Sequence, residues 1–527
     1  MDSMTIGKKM KNNLGYLFII LCAISLCINF KNNMTVDKFF FERSIGVLLD
    51  NYKSYNNNFF NFMIKTLPLH EGDTNSGWHS FYYLLPLFLF AKFTGGLSLF
   101  TLHLFVCLSS ILCLFLFYCL LRKYWGNTAA NIGVCFFSFS PFFQELARSG
   151  SYHAPSVLVA LILFFFIFKA LNDSNARAKF YLGLIVGLSW YYYGPLRFIL
   201  PVAMMAALSG RKDSFYRYLL SFLAGITAVS LIGFILTIIN KGNFFDQENI
   251  FRQEPGHCKA FYLTIFDNVK SLWAIITGHG FIDADYWLIN KVLLIPLIAG
   301  LIYLMRNLNY KINKVFLLLI AAICILPVVT TAFHNQVRRY ILYCIPLYFL
   351  VGIGGARLVY YLSLIKNKTV KGIAAFLVMI IASSAVSSDL SYITKNIFFN
   401  KRNPGVLSGI LRFGRAISEN VYNDLPVFYL QETPHRLYEV KCEADLFTLI
   451  VRYKNLDHNI KEVGELKSVV DMKKAYVIVS PYISSEDFRR MCEQENLFYR
   501  LIKSDVCKEK RETGEDVFRL YFVKKIG

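Results

Sequence analysis

The sequence contains 527 residues, of which 55% are hydrophobic, 16% are aromatic and only 17% are charged, and its net charge is +21. Soluble chains carry about 25% charged residues, so this composition excludes an ordinary soluble protein. The apolar content also excludes an intrinsically disordered chain, and 12 cysteines are too few for a disulfide-stapled scaffold. The composition therefore predicts a polytopic membrane protein with apolar segments of about 20 residues.

Apolar segments recur along the first three quarters of the chain. They predict membrane spans at 14–30, 99–121, 128–142, 155–171, 216–239, 291–305, 314–331, 340–362 and 371–387. The first span follows a basic start like that of a signal peptide. It lacks a small-residue cleavage site, so we expect it to stay as an uncleaved helix.

The distribution of Lys and Arg predicts the orientation in the membrane. With a cytoplasmic N-terminus, the predicted cytoplasmic segments hold 18 Lys and Arg, whereas the short outer segments hold 4. Cytoplasmic loops carry such an excess of cations. If the short apolar segment Phe81–Phe93 crossed the membrane, every later loop would be inverted. We therefore expect this segment to lie at the outer interface.

The apolar segment Phe180–Leu208 is interrupted by Gly194, Pro195 and Arg197. Both of its flanks are basic, so it should enter the membrane and return on the same side. Each arm of about 14 residues reaches roughly 21 Å, which is less than the hydrocarbon thickness of about 30 Å. Arg197 is therefore predicted to lie below the outer surface, buried in protein or facing a water-filled cavity.

The predicted fold class is an α-helical polytopic membrane protein of about eleven passes with a C-terminal soluble α/β domain. We expect a membrane domain at 1–390, with outer loops at 31–98 and 240–290. The soluble domain at 391–527 should be extracytoplasmic, because it follows an odd number of passes.

Within the soluble domain, short β-rich and amphipathic segments predict strands and helices. The predicted strands are Val427–Leu430, Ala475–Val479 and Phe518–Val523, and the predicted helices are Asp445–Tyr453 and Ser485–Asn496, the second with Ser484 or Ser485 as its N-cap. Cys442, Cys492 and Cys507 allow three disulfide pairings, and the sequence does not choose among them.

Ionisable residues near a bilayer are costly and mark candidate functional sites. Asp37 follows the first span closely and could act as a general base for an acceptor hydroxyl or amine. It could equally cap a helix over 38–49 or pair with Lys38. The acids and histidines at 70–79 match no zinc spacing, so we expect a solvated loop, no metal site and no cofactor.

Cations on the outer side indicate phosphate binding. Arg148 could hold a phosphate or a sugar hydroxyl, or it could be an interfacial arginine that reaches lipid headgroups. Arg197, His334, Arg338 and Arg339 could neutralise a phosphate leaving group or bind anionic lipid heads, and the predicted depth of Arg197 favours the leaving group.

An aromatic run precedes Arg197 in the hairpin. Trp190 and the tyrosines that follow it, Tyr192 among them, could stack on a sugar or on the lipid. An aromatic belt at the membrane interface is the ordinary alternative.

Several motifs occur in one order over roughly residues 10–360. They are Asp37 after the first span, Phe93-Thr94-Gly95-Gly96-Leu97-Ser98, Leu121-Arg122-Lys123-Tyr124-Trp125-Gly126, Ser138-Phe139-Ser140-Pro141 leading to Arg148, Gly183–Ser189 before Tyr192 and Arg197, and Arg338-Arg339-Tyr340 before Pro346. In this order and topology the chain resembles the integral-membrane glycosyltransferases of the GT-C superfamily. Within it, the chain is most similar to the family-39-like group, the bacterial relatives of protein O-mannosyltransferases and aminoarabinose transferases.

The resemblance implies an inverting transfer of a sugar from a polyprenyl-phosphate donor to a protein, glycan or lipid acceptor. It implies that Asp37 is the general base and that cations stabilise the departing phosphate, as Arg197 with Arg338 or Arg339 would do here. The family usually has Asp-Glu at this motif, whereas this chain has Asp37-Lys38, so Glu42 is a second candidate for the acid.

Two other functions are compatible with the predicted membrane topology. A transporter or flippase of lipid-linked or anionic substrates would use the same hairpin, although the chain shows no inverted repeat. A polysaccharide polymerase or ligase would use a different donor and a different acceptor. The basic charge is spread over membrane-flanking segments, which argues for contact with membrane lipid and against nucleic-acid binding. The expected location is a bacterial inner membrane.

Overall fold

The structure is a computed structural model, and it describes residues in both the apolar and the polar part of the chain. The described residues are 3–27, 52–59, 61–62, 81–148, 153–173, 175–192, 194–209, 214–239, 266, 269–270, 288–325, 341–394, 425–430, 460–463, 466, 474–479, 483–506 and 517–526. Those up to Thr394, except 52–56, form one compact unit, and residues 425–526 with 52–56 form a second.

The first unit is helical. Its helices are α1 (Ser3–Cys27), α2 (Phe81–Phe93), α3 (Leu99–Trp125), α4 (Asn127–Ser138), α5 (Pro141–Arg148), α6 (His153–Asn172), α7 (Ala176–Tyr192), α8 (Leu200–Leu208), α9 (Phe215–Ile239), α10 (Leu294–Arg306), α11 (Lys311–Ile320), α12 (Cys344–Leu364) and α13 (Lys368–Tyr392). Short 3₁₀ turns precede α8 and α10, and a π-helical turn follows α11.

Four of the described helices are long and apolar enough to cross a membrane. They are Phe100–Trp125, Ala154–Asn172, Ile341–Leu364 and Lys368–Tyr392. The prediction of a polytopic helical fold is therefore confirmed. The helix α2 has the bounds that were predicted for the interfacial segment.

The predicted single span at 128–142 is wrong, because the helix is interrupted after Ser138. Pro141 lacks an N–H and disfavours a helical residue before it, so α4 ends and α5 begins anew. The Ser140 hydroxyl accepts from the backbone N–H of Phe143 at 3.2 Å and so caps α5. The carbonyl of Ser138 left by the break accepts from Gln144 Nε2 at 2.7 Å.

The hairpin predicted over Phe180–Leu208 does return on itself. Lys179 lies fully buried in the first turn of α7. Its Nζ donates to the carbonyl oxygens of Ala206 and Ser209, both at 3.0 Å, at the end of α8. It also donates to the carbonyl of Ala170 at the end of α6. The two ends of the hairpin therefore lie together.

The arms of the hairpin differ from the predicted pair of about 14 residues. The entering arm is a helix of 17 residues. The returning arm is a 3₁₀ turn, Gly194–Ile199, followed by the 9-residue α8. Pro195 and Pro201 explain why the returning arm begins with a tighter 3₁₀ turn, because neither residue can donate a helical hydrogen bond.

The helix α7 packs on α9 through glycines. A Cβ at Gly183 would lie 2.1 Å from the Phe222 carbonyl oxygen, and one at Gly225 would lie 2.2 Å from that of Phe180. Only glycine permits this approach of two backbones, which is the usual way that small residues bring membrane helices together. The glycines of the motif at 183–189 therefore hold the entering arm of the hairpin against α9.

The core of the helical unit lies where α3, α4 and α12 meet. A Cβ at Gly352 would lie 2.6 Å from the Ala129 carbonyl oxygen, so α4 and α12 are in close contact. The Phe117 ring packs against those of Phe349 and Phe137, with centroids 4.6 and 4.9 Å apart.

The second unit contains a mixed five-stranded sheet. Its strands are β1 (Val427–Leu430), β2 (Ile460–Val463), β3 (Lys474–Val479), β4 (Leu497–Val506) and β5 (Val517–Lys525), in the order β2-β1-β3-β5-β4. β1 is parallel to β2 and β3, whereas β5 is antiparallel to β3 and β4. The helix α14 (Ser485–Gln494) contributes Phe488 and Cys492 to the core of this unit.

The three predicted strands are confirmed, whereas β2 and β4 were missed. Both are edge strands of the sheet. The central residues of β2, Lys461 and Glu462, are charged, which weakens the apolar pattern that reveals a strand. The N-cap of α14 is Ser484, whose hydroxyl accepts from the N–H of Asp487 at 3.0 Å. The predicted helix at Asp445–Tyr453 lies outside the described residues.

Cys492 is a buried free thiol in the core of the second unit. Burial raises its pKa to about 12, so the thiol stays protonated at neutral pH. The two cysteines that could pair with it, Cys442 and Cys507, lie outside the described residues, so the disulfide pairings stay predictions.

We predict that Gly183→Ala destabilises the helical unit, because its methyl group meets backbone atoms that cannot move aside. Overpacking of this kind costs about 1–3 kcal/mol. Gly372→Ala is the matched control, since a Cβ there has no neighbour within 4 Å. Thermal unfolding in detergent should show a lower midpoint for Gly183→Ala alone. Equal midpoints for the two variants would contradict the close packing of α7 on α9.

Candidate active site

The candidate site residues fall into two groups. Arg148, Tyr192 and Arg197 lie within the described residues. Asp37, Glu42, His334, Arg338 and Arg339 lie outside them, as does the polar segment at 70–79, so the roles of these residues stay predictions.

Arg197 lies in the 3₁₀ turn at the tip of the hairpin and is half-buried. Its Nε donates to the Trp190 carbonyl at 3.2 Å, and its guanidinium carbon lies 5.0 Å from the centre of the Trp190 ring. A hydrogen bond and a cation–π contact from one residue fix the orientation of the guanidinium. The turn therefore presents an oriented cation within an apolar unit.

Tyr192, the last residue of α7, is buried. Its ring meets that of Tyr83 on α2 edge to face, with centroids 6.3 Å apart. Tyr83 in turn packs on Phe105 of α3 at 5.9 Å. Tyr192 therefore links the hairpin tip to α2 and α3, and its role as a substrate-stacking residue stays a prediction.

Arg148 ends α5 and is only 1% exposed. Its Nη2 donates to the Ser25 carbonyl at 2.7 Å, near the end of α1. Its Nη1 donates to the side-chain and backbone oxygens of Gln144 at 2.7 and 3.1 Å. The interpretation of Arg148 as an interfacial arginine that reaches the lipid heads is therefore wrong, because the neighbouring carbonyls draw the guanidinium into the protein.

Gln144 extends the contacts between α1 and α5. Its Oε1 also accepts from the Ser25 hydroxyl at 3.1 Å, and its Nε2 also donates to Cys22 Sγ at 3.3 Å. Gln144 and Ser138 are fully buried. Hydrogen-bonded polar groups in a buried network favour one arrangement of the segments that they join. In this network Arg148 Nε has no hydrogen-bond partner among the described residues, whereas both Nη atoms donate. The network thus fixes the end of α1, from which the segment carrying Asp37 continues.

Two buried acids were not assigned a role by the sequence analysis. Glu145 on α5 accepts from the Tyr392 hydroxyl at 3.3 Å, which ties α5 to the end of α13. Asp389 on α13, 1% exposed, accepts from Asn290 Nδ2 at 3.1 Å. The sequence contains a signal for Asp389, because an acidic residue within an apolar helix is a candidate functional residue by default. The predicted span ended at 387, whereas α13 continues to Tyr392.

The described part of the chain contains no group of three or more His, Cys, Asp or Glu that could hold a metal ion. The polar groups described above include an oriented arginine at the hairpin tip and two networks on α5 and α13. An oriented cation suits an anionic group of a substrate, and a buried acid with a hydrogen-bonded partner suits positioning or proton transfer.

The chain is similar to known membrane glycosyltransferases. Residues 79–238 match the model of the dolichyl-phosphate-mannose-protein mannosyltransferase family. This part contains α5 and the whole hairpin. A comparison with curated protein sequences finds no match.

The fold is similar to solved structures over nearly the whole chain. ArnT from Cupriavidus metallidurans in the apo state superposes with a TM-score of 0.53 at 11% identity, covering 96% of this chain and 97% of that chain. Its structure bound to undecaprenyl phosphate gives 0.52 at the same identity and coverage. The archaeal oligosaccharyltransferase AglB from Archaeoglobus fulgidus, in complex with an inhibitory peptide and a dolichol-phosphate, gives 0.51 at 11% identity, covering 93% of this chain and 73% of that chain.

The chain therefore has the fold of the GT-C superfamily of membrane glycosyltransferases, which confirms the resemblance seen in the sequence. The family match and the fold together indicate a glycosyltransferase-type membrane enzyme.

We predict that Arg148→Met lowers the stability of the apo protein. The Ser25 carbonyl would lose the donor that Arg148 Nη2 provides and Gln144 would lose one of its donors, and a buried polar group left unsatisfied costs about 1–3 kcal/mol. Arg177→Met is the matched control, because Arg177 is exposed on α7. The thermal unfolding midpoint in detergent should fall for Arg148→Met only. If both variants unfold like the wild type, the contacts of Arg148 do not support the end of α1.

Proposed function

We propose that the chain transfers a sugar from a polyprenyl-phosphate donor to an acceptor on the outer side of the membrane, with inversion at the anomeric carbon. The GT-C fold and the family match support this reading. A relative of the same fold was solved with undecaprenyl phosphate, which is a polyprenyl phosphate. The sugar and the acceptor, whether a protein, a glycan or a lipid, are left open.

The observation that carries the proposal is the position of Arg197. Its guanidinium is oriented by Trp190 at the tip of a hairpin that returns within the helical unit. In surroundings that exclude water, a preoriented cation stabilises developing negative charge far more than it would in solution. Loss of a polyprenyl phosphate develops such a charge on the phosphate oxygens.

The proposed reaction needs a base and a leaving-group site. Asp37 accepts the proton of the acceptor hydroxyl or amine as the nucleophile attacks the anomeric carbon, and Glu42 is the second candidate for this base. The bond from the anomeric carbon to the phosphate oxygen breaks, and polyprenyl phosphate leaves with the electron pair. We propose that Arg197 neutralises it.

Three further cations are assigned to the leaving phosphate. His334, Arg338 and Arg339 lie in one segment of the sequence, and the resemblance to the family supports a role beside Arg197 for Arg338 or Arg339. We propose that Tyr192 shapes the hairpin tip for the donor. We propose that Arg148 acts through the end of α1, because both of its Nη atoms already donate within the protein.

We also propose the arrangement of the chain in its membrane. Residues 1–390 form the membrane domain, with a cytoplasmic N-terminus, and 391–527 form an extracytoplasmic domain that binds or guides the acceptor. The bias of Lys and Arg supports this orientation. A bacterial inner membrane is the expected location.

Asp37→Asn tests the proposed base, with Glu42→Gln beside it. Membranes that contain each protein receive a panel of radiolabelled polyprenyl-phosphate sugars, and label transferred or released as free sugar is counted. We expect Asp37→Asn to lose at least about a hundredfold in turnover, the scale of a general base. The product should have the anomeric configuration opposite to that of the donor.

The possible outcomes distinguish a wrongly assigned base from a wrongly assigned class of protein. Full turnover in Asp37→Asn together with loss in Glu42→Gln would move the base to Glu42. Donor that binds equally to all variants and crosses the membrane without cleavage would contradict the glycosyltransferase proposal and favour a flippase.

A further inference from the structure

A cavity opens between the end of α3 and the start of α4. It has a volume of about 470 Å³ and is lined by Cys119, Arg122, Lys123, Gly126 and Asn127. The proposed sugar transfer does not use it. The Trp125 side chain donates to Asn313 Oδ1 at 3.2 Å, so the cavity lies at the same end of the helical unit as the start of α11.

The two cations at this cavity have no acidic partner among the described residues. Arg122 and Lys123 are exposed, and the described ion pairs all lie on α14 in the other unit. Arg122 Nη1 donates to the Tyr16 hydroxyl at 3.4 Å, and Lys123 Nζ lies 5.4 Å from the centre of the Tyr124 ring. These contacts orient the cations without neutralising them, so the cavity carries an uncompensated charge of two.

The backbone of the cavity adds to its positive potential. Gly126 precedes α4 with a φ of +92°, and α4 has no side-chain cap. A Cβ at Gly126 would meet no atom within 4 Å, so the space beside it is open. The N–H groups at the start of a helix carry a partial positive charge and can donate to an anion. The two cations, Arg122 and Lys123, therefore line the same cavity as the N-terminus of α4.

The cavity is continued by an apolar stripe on α3. Leu108, Leu112 and Phe115 are exposed, and they precede Cys119 and Arg122 by helical spacings of three and four residues. Residues at these spacings share one face of a helix. From Leu112 to Arg122 the helix rises about 15 Å, which is half of the hydrocarbon thickness of about 30 Å. An apolar chain along the stripe would therefore place its polar head at the cavity.

We propose that this cavity is a phosphate site that holds the headgroup of an anionic membrane lipid, with an acyl chain along the stripe on α3. The observations favour a lipid over free phosphate because the apolar stripe leads directly to the cations. Basic pockets between membrane helices bind anionic headgroups by the same chemistry. The site does not depend on the proposed sugar transfer, since it lies at α3 and α4 and needs no turnover.

Native mass spectrometry of the purified chain in detergent tests the site. The probes are dioleoyl-phosphatidylglycerol, dioleoylglycerol with the same acyl chains but no phosphate, and inorganic phosphate. The variant Arg122→Gln with Lys123→Gln removes both cations. The matched control is Lys368→Gln with Lys371→Gln, which removes the same charge from exposed positions on α13.

We expect phosphatidylglycerol to bind the wild type and the control pair, and to bind the Arg122 and Lys123 pair about tenfold or more weakly, as the loss of two cations near a headgroup implies. Dioleoylglycerol should bind all three proteins equally. If inorganic phosphate binds as tightly as the lipid and with the same dependence on Arg122 and Lys123, the phosphate site is supported and its ligand is free phosphate. Equal weakening in both variant pairs, or no preference of the wild type for phosphatidylglycerol over dioleoylglycerol, would overturn the proposal.

Discussion

Within the hydrocarbon of a bilayer there is no water to hydrogen-bond a carbonyl or a cation, so every polar group at depth needs a partner in the protein. The helical unit meets this constraint at two of the described interruptions of its helices. Lys179 donates to carbonyls at the ends of α8 and α6, which holds the two ends of the hairpin together. Gln144 donates to the Ser138 carbonyl that the break before Pro141 leaves without a helical partner. At the hairpin tip, Arg197 Nε donates to the Trp190 carbonyl of α7.

The short helix α5 connects the parts of the unit that the proposed chemistry uses. Arg148 and Gln144 hold the end of α1, and Glu145 holds the end of α13. The sequence that continues from α1 carries Asp37, and the sequence that continues from α13 leads to the sheet-containing unit. A change in α5 would therefore disturb the ends of both α1 and α13.

The parts of this fold that follow from local rules were predictable from the sequence. The basic flanks and the Gly194-Pro195 interruption predicted the hairpin, and β-rich segments predicted the inner strands of the sheet. The contacts that join distant segments were not predictable, because no local pattern encodes the bond between Glu145 and Tyr392, which are 247 residues apart. The end of α13 was placed before Asp389 because helix boundaries are the least reliable feature of an apolar pattern.

We propose above all that the hairpin tip holds the phosphate of a lipid carrier through Arg197. Binding of undecaprenyl phosphate to the purified chain tests it most directly, because this ligand needs no acceptor and no turnover. We expect Arg197→Gln to weaken binding about tenfold or more, since a charge-assisted contact contributes about 1.5–3 kcal/mol, while Arg177→Gln binds like the wild type. Equal affinity of the wild type and Arg197→Gln for undecaprenyl phosphate would contradict the claim.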